Sequence, residues 1–197
     1  MQALRPSRPA PDSSDLRTIY TIGHSTRTAE EFLSLLRAHG VRAVADVRLI
    51  PKSRRHPHFR ADELATWLPA NGVAYLPFPQ LGGRRRARKD SPNIGWRNES
   101  FRGYADYLAT PAFRAALDEL MTVAADRPTT TMCAEAVPWR CHRSLISDAL
   151  LVRGWMVLDI TSESRATPHK LTRFARVDGT TITYPPEEPE LFPPAAG

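Results

Sequence analysis

Cysteine is nearly missing from this chain: 197 residues hold two, Cys133 and Cys141. Two cysteines do not make a disulfide framework, and in a reducing compartment they are thiols by default. They stand eight positions apart, so neither the Cys-x-x-Cys redox signature nor a zinc-finger spacing is present. No apolar run approaches the roughly 18 residues that span a bilayer. The opening Met1-Gln2-Ala3-Leu4-Arg5-Pro6 lacks the apolar stretch of a signal peptide. The expectation is a cytoplasmic protein with no membrane partner. No internal repeat is found, which argues against a solenoid. Acidic residues are in deficit, 21 Asp and Glu against 27 Lys and Arg, giving a net charge of +6. That excess favours anionic partners, nucleic acid or nucleotide phosphate, and leaves the oligomeric state open.

A hydrophobic content of 42% and a charged content of 24% are ordinary for a globular domain with a sizeable core. Residues 1–16, rich in Pro, Ser and Arg, read as a disordered N-terminal segment, residues 17–184 as one α/β domain, and 185–197 as a loose tail. Thr18–Ile22 reads as a strand ending at Gly23-His24-Ser25. Thr28 and Glu31 have capping-box spacing for a helix whose apolar face is Phe32, Leu33, Leu35 and Leu36. Val41–Arg48 reads as a second strand, and the β-α-β unit implies a parallel pair with a right-handed crossover. A short helix over Asp62–Leu68 and a third strand over Val73–Phe78 follow. Residues 84–100 show no periodicity and read as a long mobile loop. Helices are expected over Phe101–Leu108 and Pro111–Ala125, the latter with Pro at its first position. Strands are expected from Thr129 and over Trp155–Ile160. A helix from Cys141 to Leu151 lies between them, its Leu145, Ile146, Ala149 and Leu150 at helical spacing. A short helix within 169–176 and a hairpin turning on Asp178-Gly179 complete the chain. The fold class is α/β, a mostly parallel sheet of about five strands with helices on both faces. Its site is expected at the carboxyl ends of the strands.

The chemistry-bearing residues cluster at those ends. His24 follows a strand and a glycine, as a general base, phosphate donor or metal ligand, or as a structural histidine bonded across the sheet edge. Asp46 and Arg48 are two apart, hence on one face, as a salt bridge or as an acid beside a phosphate-gripping guanidinium. Cys133 and Glu135 are placed on the central strand, where a carboxylate must find a cation or a hydrogen-bond network; Arg143 and His142 are the nearby candidates. Cys141-His142-Arg143 is placed at a helix N-terminus, which would lower the Cys141 pKa or bind a phosphate. Lys52, Arg54 and Arg55 form one basic loop, and Arg84, Arg85, Arg86, Arg88 and Lys89 another. Both flank the expected crevice, with Phe59, Trp96 and Trp139 as stacking surfaces for bases.

Several short pieces in order, Thr21-Ile22-Gly23-His24-Ser25, Asp46-Val47-Arg48 with Pro51 and Ser53, Leu81-Gly82-Gly83, Cys133-Ala134-Glu135 and Cys141-His142-Arg143, together resemble the domain-of-unknown-function-488 family over residues 18 to 161. The resemblance implies a compact α/β domain and a list of residues, and it implies a weak leaning toward nucleic-acid-related roles. It implies no reaction.

Three functions fit this pattern. The first is an enzyme of nucleic acid or phosphorylated nucleotides. It uses Asp46, Glu135 and His24 as acid, base or metal-facing groups. Ser25, Arg48, Ser53, Gly82, Gly83 and Arg143 hold phosphate, and the basic loops hold the polymer. Phosphodiester hydrolysis of this kind calls for a divalent metal, which no carboxylate pair in the sequence specifies. The second is thiol chemistry, nucleophilic or redox, at Cys141 or Cys133 activated by His142 and Arg143. The third is a nucleic-acid-binding module without catalysis.

Overall fold

Strands β1 (Thr18–Gly23), β2 (Ala43–Asp46), β3 (Ala74–Pro77), β4 (Thr129–Cys133), β5 (Met156–Ser162) and β6 (Arg165–Pro168) build a six-stranded sheet of order β3-β2-β4-β1-β5-β6. The computed structural model describes residues 17–53 and 55–186. The segment 1–16, Arg54 of the first basic loop and the tail from 187 lie outside the described residues. The first five strands run parallel, and β6 is an antiparallel edge on β5.

All five residues of β4, and all four of β2, are buried. A parallel sheet covered on both faces demands this, and it explains why these strands read as apolar or β-branched runs rather than alternating ones. Helices α1 (Ala29–Ala38) and α2 (Ala61–Ala70) pack Phe32, Leu36, Leu64 and Leu68 with Ile22, Val44 and Met132 of the sheet. Helices α3 (Glu99–Leu108), α4 (Pro111–Asp126) and α5 (Arg143–Leu151) enclose a second core that takes Ile19, Ala45 and Cys133 from the sheet. The period-2 side-chain alternation thus sends neighbouring strand residues to opposite cores. The local signals agree with this packing. Thr28 Oγ1 accepts from the Glu31 amide at 3.2 Å while the Glu31 carboxylate accepts from the Thr28 amide at 2.8 Å. Thr110 caps α4 and Pro111 occupies its first turn.

Four expectations need correction. β1 and β2 are parallel but not neighbours, because β4 inserts between them and pairs with both. The sheet has six strands, the extra one being β6, whose short, mostly polar Arg165–Pro168 gave no hydrophobic pattern. Residues 169–176 form no helix; that segment is held by Asp148, which accepts from His169 Nε2, the Thr172 amide and hydroxyl, and the Tyr184 hydroxyl. It leads into the expected hairpin, β7 (Arg176–Asp178) and β8 (Thr181–Thr183). The aperiodic stretch 84–98 is pinned rather than free. Buried Asp106 of α3 accepts from Ser91 Oγ, Asn93 Nδ2 and the Arg88 amide, and Asn93 Oδ1 accepts from the Tyr184 amide.

Candidate active site

The chain leaves β1 toward α1 on one face of the sheet, and leaves neighbouring β4 toward α5 on the other. Divergent exits from adjacent parallel strands open a crevice at their carboxyl ends. The β1–β4 pairing continues past the strands, with the His24 amide donating to the Cys133 carbonyl at 2.9 Å and the Ser25 amide to the Ala134 carbonyl at 3.0 Å. The loop after β4 therefore lies directly on β1. A Cβ on Gly23 would stand 1.8 Å from the Glu135 carbonyl oxygen, so only glycine permits this approach.

Asp46 and Arg48 form the salt bridge that their spacing suggested. Arg48 Nε donates to Asp46 Oδ1 at 2.7 Å and NH2 to Oδ2 at 2.6 Å, a bidentate pair with both partners buried. Tyr75 Oη, on β3, donates to the same carboxylate at 2.8 Å. On its other side the Arg48 NH1 group lies 3.2 Å from His24 Nε2, while His24 Nδ1 lies 3.0 Å from the Ser25 carbonyl. This pattern assigns the neutral tautomer, Nδ1–H donating to the carbonyl and Nε2 accepting from the guanidinium. Burial first, and the Arg48 charge second, push the His24 pKa down to about 4. With its lone pair occupied and Phe59 stacked 4.2 Å from its ring, His24 positions Arg48.

The second group is a dithiol. Cys133 Sγ and Cys141 Sγ are 2.8 Å apart and both buried. Arg143, 1% exposed, places Nε 2.9 Å from Cys133 Sγ, NH1 2.6 Å from Thr21 Oγ1 and NH2 2.8 Å from the Glu135 carbonyl. Among the described residues it makes no ion pair with a carboxylate. A buried guanidinium stays charged and requires an anion or full hydrogen bonding. Cys133 supplies the anion. Burial raises its pKa, but the Cys141 hydrogen bond, the Arg143 charge and the 3.3 Å bond from the Glu135 amide outweigh it and bring the thiol down to about 7. Cys141 moves the opposite way, raised because its S–H serves the neighbouring sulfur and because it is buried. His142 Nε2 donates to the Val47 carbonyl at 2.9 Å, which leaves Nδ1, 3.5 Å from Cys141 Sγ, as an acceptor. Burial, followed by the charges of Arg143 and Arg85, lowers the His142 pKa to about 4 despite the bond to Val47.

Two expectations about this group are corrected. β4 ends at Cys133, so Glu135 is not a buried strand carboxylate; its side chain is exposed, and it serves the site through its backbone. α5 begins at Arg143 with His142 as its N-cap, so Cys141 lies before the helix and in the core, and the activated thiol is Cys133. The helix-dipole argument favoured Cys141 because it started the helix there; with α5 starting at Arg143, Cys141 lies outside the helix and the Arg143 guanidinium reaches Cys133.

Both sulfurs line a cavity of about 240 Å³ with Arg48, Gly83, Arg84 and His142. Gly83 packs on the His142 ring, where an added Cβ would lie 3.0 Å from Nδ1, and Gly82 lies against Leu49. The two basic loops therefore meet at this mouth. Arg84 holds a left-handed backbone (φ 61°), a conformation that arginine disfavours. Lys52, Arg55, Arg86 and Lys89 are exposed along the two loops and do not line the cavity. The structure gives the remaining basic residues other partners: Arg85 lies 3.9 Å over the Tyr107 ring and bonds the Gln80 and Gly82 carbonyls, and Arg88 pairs with Asp90. Ser25 and Ser53 do not line the cavity; Ser53 Oγ accepts from the His56 amide. Nor do the stacking candidates gather there: Phe59 is buried under His24, and Trp96 packs on Phe101. Trp139, 73% exposed, and Trp96 instead line a larger cavity of about 660 Å³ beside the 136–139 segment.

Tyr75 and Asp148 escaped the sequence reading, and Thr21 entered it only as part of the Thr21–Ser25 piece, with no role given. A threonine or tyrosine inside a strand has the same pattern as a packing residue, and only the position of Thr21 two before Gly23 hinted that it shares the site's face. Among the described residues no three His, Cys, Asp or Glu side chains gather as a metal-binding set, and no helix is long and apolar enough to cross a membrane.

A parallel α/β domain that presents a guanidinium-held dithiol beside an Asp–Arg–His chain at its strand ends is the class defined by this geometry. The sequence matches the family described as Domain of unknown function DUF488 over residues 28–150, more than half of the chain, and the protein belongs to that family. No curated protein and no solved structure matches it.

Proposed function

We propose that the protein is a thiol-dependent enzyme for a small anionic, phosphate-bearing substrate such as a phosphorylated nucleotide, with Cys133 as nucleophile. One observation carries this reading: Arg143 is buried without a carboxylate and rests 2.9 Å from Cys133 Sγ. A thiolate held by a cation at neutral pH and facing a cavity is an activated nucleophile. The cavity wall adds Arg84 and the outer edge of Arg48, which supply positive charge for the substrate's phosphate. In this account Asp46, Tyr75 and His24 fix Arg48, and the Cys141 S–H hydrogen-bonds to the Cys133 thiolate. In a hydrolytic course the Cys133 thiolate attacks the phosphorus and expels the ester oxygen as an alkoxide, which takes a proton from water. The hydroxide so formed cleaves the S–P bond, releasing phosphate and restoring the thiolate, and the open basic mouth admits that water.

The test is turnover of a panel of phosphorylated nucleotides and short single-stranded DNA, before and after alkylation of Cys133. The account predicts loss of essentially all turnover on alkylation, and a raised KM with nearly unchanged kcat for Arg84→Ala. Full activity of the alkylated protein contradicts it.

A second reading, nucleic-acid binding without catalysis, draws on the exposed Lys52, Arg55, Arg86 and Lys89 of the two basic loops. It requires binding that weakens steeply with salt and is lost when these four are replaced, with no turnover by either thiol.

A further inference from the structure

We propose that Cys133 and Cys141 are a reversible redox pair, oxidised by a hydroperoxide to an intramolecular disulfide that switches the crevice off. This goes beyond the nucleophile role given to Cys133, and it is read out by mass, independently of any turnover.

The geometry points to it in three ways. The sulfurs are 2.8 Å apart, so closing to a disulfide bond of ~2.05 Å requires less than ~1 Å of relative movement. They sit on either side of a short turn, at the end of β4 and just before α5, so the movement is absorbed by the 134–140 loop rather than by the sheet. Both line the same cavity, which gives a peroxide access to sulfurs that are otherwise buried.

The polar groups divide the chemistry between the two thiols. Arg143 holds Cys133 as the thiolate, the form that attacks peroxide. The Cys133 sulfur displaces hydroxide from the O–O bond and becomes a sulfenic acid; the hydroxide takes up a proton to become water. Cys141, raised in pKa and protonated at rest, passes its proton to His142 Nδ1, 3.5 Å away. Its sulfur then attacks the sulfenic sulfur and expels the hydroxyl, which leaves as water with that proton. Two thiols and one hydrogen peroxide give one disulfide and two waters.

The disulfide carries no charge, so oxidation deprives buried Arg143 of its anionic partner. The oxidised state is therefore disfavoured relative to an ordinary structural disulfide and returns readily to the dithiol with a dithiol reductant. Loss of the Cys133 anion also removes the nucleophile. That combination makes a switch rather than a staple.

The experiment treats the full chain with one to five equivalents of hydrogen peroxide, alkylates the remaining thiols and measures intact and peptide masses under non-reducing conditions. The expected result is a monomer lighter by two hydrogens, a peptide pair joining Cys133 and Cys141, and full restoration of both alkylatable thiols by dithiothreitol. Cys141→Ser, which keeps a hydroxyl in place of the thiol, is expected to stop at the sulfenic acid on Cys133, trapped by dimedone. The proposal is overturned by thiols that survive peroxide unchanged, by direct passage of Cys133 to sulfinic acid without a disulfide, or by dimers joined between chains. Disulfide formation in a protein that shows no thiol-dependent turnover would leave the redox pair standing and remove only the enzyme reading.

Discussion

Arg143→Met is expected to lower the stability of the fold by about 3–5 kcal/mol, the range seen when one member of a buried charged pair is removed. The methionine keeps part of the volume but none of the donors. Thr21 Oγ1, the Glu135 carbonyl and Cys133 Sγ all lose their shared partner, a side chain only 1% exposed. Chemical denaturation measures the loss. The pH dependence separates it from simple packing damage. In the wild type Cys133 falls from an ordinary value of 9.0 to about 7 in the fold. Its ionisation then contributes stability that is fully present above pH 9 and lost as pH falls through about 7. The wild type should therefore gain stability between pH 7 and 9, and Arg143→Met should show a clearly smaller gain, set by the Cys141 and Glu135 hydrogen bonds that remain. An equal slope in both proteins contradicts the pairing of Arg143 with Cys133.

Asp46→Ala is the second substitution expected to cost about 3–5 kcal/mol. Its carboxylate accepts from Arg48 Nε, NH2 and backbone amide and from the Tyr75 hydroxyl, in a strand buried at every position. Alanine there leaves the buried Arg48 charge without a counter-ion and a tyrosine hydroxyl without an acceptor. The double variant Asp46→Ala/Arg48→Ala should recover part of the loss, because removing both charges is less damaging than stranding one. Additive single effects would show that the two residues act independently. Cys133 titration should change little in Asp46→Ala, since no side chain of Asp46, Arg48 or His24 hydrogen-bonds to the Cys133 sulfur.

The sequence made the sheet legible where local signals and packing agreed. The Thr28–Glu31 capping box, Pro111 and the β-branched opening of β4 sit where the structure has them. Topology was less accessible: nothing local to Val41–Arg48 says that β4, more than 80 residues later, will insert between β1 and β2. β6 was hidden because none of its four residues is buried, so Arg165–Pro168 carries no apolar alternation. The aperiodic 84–98 stretch reads as a loose loop because its order comes from buried Asp106, a single carboxylate on a helix that gathers three distant donors. In the site, spacing correctly paired Asp46 with Arg48, while only part of the strand-end motifs, among them Arg48, Gly83, Cys133, Cys141 and His142, lines one cavity. Spacing misassigned Glu135 because it extended β4 two residues too far, turning a loop carboxylate into a buried one. It put the expected low pKa at Cys141 because Arg143 reaches Cys133 only through the fold of the 134–142 segment.

The central claim is that Cys133 is the anionic partner of Arg143, and thiolate absorbance of the full-length protein across pH tests it most directly. One thiolate should appear with a midpoint of about 7, persist in Cys141→Ser and disappear in Cys133→Ser, while the second thiol stays protonated through pH 9. Two thiols that both ionise at or above the free-cysteine value of about 8.5 would contradict the account.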